Sequence, residues 1–544
     1  MSVTNDLVFE RHILDNVHGY IGLTPLESKI EKLPIFKRLQ DISQLGLVRR
    51  LFPGALHNRY IHSLGVMHMV DRMAMHIGEF SIAERRILRL AGLLHDIGHY
   101  PLSHDLEKVY MQKASGKLGS KTPEDFREKA LDDISEFIES CEEDYIGKFD
   151  LHLTLRKPSH HEKMARIVLE SSSAIKMYIA EDIRNGYFCD SKEENGHWKD
   201  CRDDNVINKI AEGIIHYICA IIEGHADYEG LVIDNNKYFD KYFPAFLQLM
   251  HSELDADRMD YMLRDASFSG LAFSTFDLGL LLQSLAMKKH TDKWKVINGD
   301  PETYSVERSI FIVGVKPEGV ACADQFLLNR YLAYTQIIHH KYASVIAKML
   351  RAVVHWMIDE PGRYGFYDVK KLKEVISKHE NDNRYYAFTD TSFFAQLAKI
   401  NNDPDATDTI KKFADLLSKF STPKLISEAE KILSDIDKKQ KEKAEEAFSS
   451  VSALADDSLP LFYNQKVTAH LKKDKFEDRL KRFSDSKNPA LSNEKLTNFR
   501  LDRLMEGLAV IDSDEISLLI DHKMSSLRHM SDTQTTFYRE YKIS

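Results

Sequence analysis

Apolar residues recur at helical spacing through most of the chain, and the clearest case follows Ser81. Ser81 and Glu84, three residues apart, form a capping box, after which Ile87, Leu90, Ala91 and Leu94 share one side of a helix. Gly98 and Pro101 stop it. The segment is apolar on nearly every side, so the pattern predicts a buried helix that carries His95 and Asp96, at its C-terminal end, into the interior. A carboxylate left charged and alone there would cost several kcal/mol, so Asp96 needs a partner or a metal.

Elsewhere the pattern divides the chain. Residues 309–315 read as a strand in a small sheet between two helical blocks, and the polar run 190–205 reads as an exposed loop. The chain has 24 glycines, but after Gly365 only Gly507 remains, which points to long helices in the last third. Residues 426–448, with Ile426, Ala429, Ile432, Leu433 and Ile436 among Lys and Glu, have helical spacing. The expected architecture is mostly α: a helical core over residues 1–350 with a small β insertion, and a helical C-terminal lobe over 351–544. No internal repeat is visible.

Composition narrows the class. With 544 residues, 43% hydrophobic and 29% charged, the chain is long enough for two to four domains of ordinary globular make-up. No uninterrupted apolar run reaches the ~18–20 residues of a membrane helix, and residues 1–9 lack signal-peptide features, so the expectation is a cytoplasmic protein without a membrane partner. Five scattered cysteines fit a reducing compartment. Cys189, His197 and Cys201 contain no close cysteine pair, which argues against zinc there. A net charge of -10 argues against a surface devoted to nucleic acid, and suits a small anionic ligand held in one basic pocket.

Four candidate ligands stand in segments that bury them: His62, the adjacent His95 and Asp96, and Asp257. Two imidazoles and two carboxylates suit a borderline divalent metal such as manganese, iron or zinc, with magnesium an option alongside a nucleotide. A Lewis acid of this kind activates water and neutralises phosphate charge.

These residues carry a resemblance. The blocks Asp15 to Gly19, Phe52 to Arg59, His95 to His104, His161 with Glu162, and Asp257 to Asp265 occur in order, and together they resemble the HD-domain phosphohydrolases, within them the deoxynucleoside triphosphate triphosphohydrolases. The similarity fades after His340 and Lys341. The resemblance implies an HD-domain core in which His62, His95, Asp96 and Asp257 bind one metal, while His99, His104, Glu107, His161 and Glu162 lie on the catalytic side. His104 is then the general acid that protonates the leaving 5'-oxygen, supported by Glu107, His161 or Glu162. Arg59, Arg258, Arg330 and Lys341 are the candidate phosphate cations. Gln44, Leu45, Tyr261 and Asp265 fall on the family's sugar contacts. The vertebrate members also carry a SAM domain; the match here begins at Asp15, so none is expected.

Some positions depart from the family. Arg258 replaces its lysine, which keeps charge but changes reach. Ile338 and His339 stand where the family has an aromatic and a glutamine near sugar and base, and Lys32 and Gln40 replace the acidic residue and arginine used for a guanine activator. The expected activity is release of deoxynucleoside and triphosphate from a dNTP, with nucleotide activation open. The alternative is an HD nuclease or phosphodiesterase acting on a polynucleotide or signalling nucleotide. A third option is a nucleotide sensor or scaffold whose site organises an oligomer. The resemblance also implies a homodimer or homotetramer.

Overall fold

The computed structural model describes residues 7–111, 159–188, 203–224, 231–233, 236–238, 241–272, 276–296, 304–338, 340–359, 361–421, 424–434, 461–468, 509–512, 516–518 and 533–542. Helices dominate. Five of them position the site and are labelled in chain order: α1 (Arg59–Ile77), α2 (Ile82–Leu94), α3 (His104–Met111), α4 (His160–Ser171) and α5 (Ala256–Ser269).

The capping box at Ser81 is formed: Glu84 N–H donates to Ser81 Oγ at 3.2 Å and Ser81 N–H to the Glu84 carboxylate at 2.8 Å. Every residue of α2 after Ile82 is buried, polar ones included. Arg89 is 1% exposed because Glu27 takes its Nε and Nη2 at 2.7 Å, Gly22 O takes Nη2 at 2.7 Å and Asp71 takes Nη1 at 2.9 Å. Arg85 and Arg86 pair with Asp71 and Asp182. Removing one member of such a buried pair costs about 3–5 kcal/mol, because the other is left charged without compensation.

Two glycines let backbones approach where the site requires it. A Cβ on Gly65 of α1 would come within 1.9 Å of Asp260 Oδ1 on α5, and one on Gly98 within 2.2 Å of the Ala165 nitrogen on α4. Both helices therefore press directly on the segment that carries the candidate ligands.

Residues 309–315 lie within the strand Tyr304–Val315, which pairs antiparallel with Leu285–Val296. The tail returns to this sheet: Ala509–Ile511 runs parallel to it, with Gly314 opposite Ala509, and Ile516–Leu518 adds an edge. One hydrophobic cluster spans the chain from Ile21 to Val510.

Two expectations are corrected. Helices continue through Lys419, but residues 426–434 of the supposed helix 426–448 lie in a strand, Lys424–Ser434, and the remainder lies outside the described residues. It pairs with Thr533–Lys542, which also pairs with Leu461–Thr468. The partner strand is rich in Thr and Tyr, and cross-strand pairing with it overrides local helical spacing. The run 190–205 ends in structure: Asp203 caps a helix, Asp204–Glu223, whereas residues 190–202 lie outside the described residues. That helix is the one described helix long and apolar enough to cross a membrane, and 61% of its apolar window is buried inside the protein.

His160 Nδ1 lies 2.5 Å from the Tyr100 hydroxyl, joining α4 to the turn after α2, and burial pushes its pKa down to about 4. An unfolded histidine binds its proton near pH 6.5, so this contribution to stability is present above about pH 6.5 and is lost as pH falls toward 4. Urea unfolding at about pH 7.5 and about pH 5 should therefore show His160→Gln losing about 2 kcal/mol less than wild type over that interval. An equal loss in both proteins would show that His160 is not the group responsible.

Candidate metal centre

The four candidate ligands come from three places: His62 from the first turn of α1, His95 and Asp96 from the end of α2, and Asp257 from the first turn of α5. His62 Nε2 is 3.0 Å from Asp257 Oδ1 and 3.8 Å from Asp96 Oδ2. His95 Nε2 is 3.5 Å from Asp96 Oδ1 and 4.0 Å from Asp257 Oδ1. Each imidazole is held through its other nitrogen: His62 Nδ1 is 2.7 Å from Asp260 Oδ2, and His95 Nδ1 is 2.8 Å from the Gly92 carbonyl. Donation from both Nδ1 atoms leaves both Nε2 lone pairs facing the carboxylates, and both Nε2 atoms are buried without a hydrogen-bond partner. This donor set fits a divalent cation.

The electrostatics agree. Burial opposes a charged His62, but the carboxylates of Asp257 and Asp260 beside it overcome this and push its pKa up to about 9. Burial opposes a charged Asp96 too, yet Arg59 and the surrounding histidines hold its carboxyl well below the usual range. The pocket thus attracts positive charge, which a proton on His62 meets in the free protein.

A second layer holds the ligands. Arg264 donates to both oxygens of Asp260 at 2.8 Å and to Asp15 at 2.7 Å, and His18 Nε2 lies 2.6 Å from Asp260 Oδ1. Sequence reasoning quoted these segments without assigning the residues. The signal was the spacing of Asp257, Asp260 and Arg264, three and four apart along one helix face. Arg59, proposed as a phosphate cation, donates to Asp96 Oδ2 at 2.7 Å and to Ser103 Oγ at 2.9 Å.

His99, His104, Glu107 and His161 form an adjoining group. Glu107 receives His104 Nδ1 at 2.8 Å and His161 Nδ1 at 2.9 Å, while the His99 and His161 rings stack 4.4 Å apart. Burial opposes charge on Glu107, but His161 and His104 keep its carboxyl well below the ordinary carboxylate range. Glu107 occupies the Nδ1 atoms of His104 and His161, and Tyr100 N–H donates to His99 Nδ1 at 3.1 Å, so the group can handle protons, and its side chains also lie close enough together to hold a cation. His104 is 54% exposed, yet the surrounding protein lowers its pKa through burial against the pull of Glu107. Asp257, 38% exposed, is enveloped in the same way. Water thus reaches the two groups through His104 and Asp257, and the water-accessible space beside these two side chains is the recess. Glu162 is spent elsewhere, accepting the Ser159 N–H at 2.6 Å in the cap of α4.

The other predicted contacts scatter around this recess. Arg258 binds Asp255 and the Ser252 carbonyl; Arg330 pairs with Glu253 and lies 5.6 Å over the Tyr334 ring. Burial raises the Tyr261 pKa well above 10, helped by Tyr334 and opposed by Arg330 and Arg258, so those two cations share its surroundings. Asp265 accepts from His57 at 2.7 Å. Gln44 is buried with its Oε1 unpartnered, and Leu45 packs on the core. Lys341 begins the helix Lys341–Asp359, but its side chain lies outside the described residues, as does His339.

Residues 59–183 match the family described as HD domain, and this interval contains His62, His95 and Asp96. That segment of the chain is similar to HD domains. It is 46% identical over 112 residues to the deoxynucleoside triphosphate triphosphohydrolase SAMHD1 of Bos taurus, covering 20% of this chain and 19% of that protein. An uncharacterised protein of Bacillus subtilis, YwfO, is 24% identical over 351 residues, covering 64% of this chain and 55% of that one. The chain thus spans about half the length of the Bacillus protein and a fifth of the bovine one. A crystal structure of a phosphohydrolase from Bacteroides thetaiotaomicron has the same fold, with a TM-score of 0.53 at 16% identity, covering 98% of this chain and 100% of that one.

Asp260→Asn should leave the fold intact but lower divalent-metal affinity about ten- to hundredfold, because outer partners fix the tautomer and orientation of a ligating histidine. Calorimetric titration with manganese checks this; unchanged affinity would remove Asp260 from the support of the centre.

Proposed function

We propose that this protein is a metal-dependent phosphohydrolase that splits dNTPs into deoxynucleoside and triphosphate. The observation that carries the reading is one recess lined by unpartnered His62 and His95 Nε2 atoms beside Asp96 and Asp257, with the His104, Glu107 and His161 group adjoining it. A manganese, iron or zinc ion held by His62, His95, Asp96 and Asp257 would supply a Lewis acid that activates water and offsets phosphate charge.

The chain's own residues supply the rest. Attack on the α-phosphorus breaks its bond to the 5'-oxygen, which leaves needing a proton. Glu107 fixes His104 Nδ1, which leaves Nε2 of this half-exposed side chain to deliver that proton. Burial keeps the His104 pKa below its ordinary value in the free protein, and an anionic phosphate beside it favours the protonated form. His99, stacked on His161, has a buried Nε2 without a partner and can donate to a phosphate oxygen. Arg258 and Arg330 are cations for the phosphate tail. Arg59 keeps Asp96 in place.

The similarity to SAMHD1 over the HD region favours a deoxynucleotide substrate, and Gln44, Tyr261 and Asp265 belong to that reading as sugar contacts. A homodimer or homotetramer is part of the same proposal and rests on the resemblance alone, and a cytoplasmic setting rests on the five scattered cysteines.

Chromatography of products from manganese-loaded protein with each dNTP, each NTP and a labelled single strand tests it. Deoxynucleoside and triphosphate are expected; mononucleotides released from the strand with dNTPs untouched would make this an HD nuclease. His104→Gln should lower kcat about 10²- to 10⁴-fold while leaving bound metal unchanged. A kcat within about twofold of wild type would mean that another group delivers the proton.

A further inference from the structure

Two consecutive residues immediately before His104, Leu102 and Ser103, have left-handed backbone angles, with φ of 56° and 53°. Neither is glycine, so each conformation costs on the order of 1 kcal/mol or more and persists only when surroundings impose it. The restraint comes from the far end of the chain. Asp390, in the first turn of the helix Asp390–Asn401, is 1% exposed. One carboxylate oxygen accepts the Leu102 N–H at 2.6 Å; the other accepts the Ser43 hydroxyl at 2.6 Å and its N–H at 3.1 Å. Ser43 O in turn receives the Ser103 hydroxyl at 2.6 Å, whose oxygen accepts Arg59 Nε at 2.9 Å. Arg59 holds Asp96. The neighbouring turn is fastened from the same side, since Arg38 donates to His99 O at 2.6 Å and Phe388 O at 3.1 Å.

We propose that Asp390 is a positioning residue for His104: by clamping Leu102 and Ser43 it holds the left-handed pair that starts α3 and aims the His104 imidazole into the recess. The C-terminal part of the chain thereby takes part in the chemistry without touching substrate. The clamp acts through His104 and so rests on the phosphohydrolase reading given above.

The test uses full-length, manganese-loaded protein. Asp390→Asn keeps the side-chain volume but replaces one acceptor with a donor, breaking half of the clamp. With dNTPs, kcat should fall about ten- to hundredfold, as expected for a displacement near 1 Å, while bound manganese and KM stay within about twofold. In a His104→Ala background the same substitution should cost less than about twofold, because groups acting as a unit are non-additive. Labelling by diethyl pyrocarbonate, read by peptide mass spectrometry, should change at least about threefold in rate at His104 and stay constant at the half-exposed His216. Ser43→Ala, which loses only the hydroxyl, should give the same pattern at smaller size, and serves if Asp390→Asn fails to fold. Equal losses of kcat in both backgrounds, or unaltered His104 labelling, would overturn the proposal. Failure of the phosphohydrolase reading is distinguishable: wild type would then turn over no nucleotide, and the labelling result alone would decide the role of Asp390.

Discussion

Taking a carboxylate out of water costs several kcal/mol unless positive charge and donors surround it, and Asp96 is 1% exposed. Much of the molecule is arranged around that constraint. Arg59 answers one oxygen directly; His62, His95, His99 and His161 approach within 4.0 Å of the carboxylate without completing its hydrogen bonds. The residual attraction for a cation follows from this incomplete compensation. Arg59 pairs with the Asp96 carboxylate, while Asp257 beside it adds another negative charge that a proton on His62 or a metal ion can meet.

The same constraint explains why the site is rigid before any ligand arrives. Imidazoles serve as metal ligands only if the correct nitrogen is free, and here both tautomers are fixed from behind, by Asp260 and by the Gly92 carbonyl. Asp260 is itself fully buried and needs Arg264 and His18, and Arg264 needs Asp15. The chain of pairs therefore runs from the candidate centre to the N-terminal hairpin, Arg11–Asp15 with Gly19–Leu23. On the other side, the turn bearing His99 and the start of α3 are held by Arg38 and Asp390. Residues nearly 300 positions apart thus share one polar framework, and one hydrophobic cluster encloses it.

Features encoded locally were legible in the sequence. The capping box at Ser81, the burial of the helix it opens and the strand around residues 309–315 follow from spacing and burial arguments, whereas the grouping of His62, His95, Asp96 and Asp257 around one metal came from the family resemblance. Features created by pairing between distant segments were not. Arg85, Arg86 and Arg89 are buried because Glu27, Asp71 and Asp182 from other segments pair with them, which helical spacing does not show. Residues 424–434 have helical spacing, and only the partner strands at Leu461–Thr468 and Thr533–Lys542 make them extended. Ser159, three residues before Glu162, is a local capping signal, and Glu162 accepts its N–H.

The central claim is that His62, His95, Asp96 and Asp257 hold a single cation in the recess that His104 faces. Anomalous diffraction from manganese-soaked crystals, collected across the manganese edge, tests it most directly. The account predicts one strong peak within bonding distance of His62 Nε2, His95 Nε2 and carboxylate oxygens of Asp96 and Asp257. A peak among His99, His104 and His161 instead, or none at a manganese concentration that supports turnover, would contradict it.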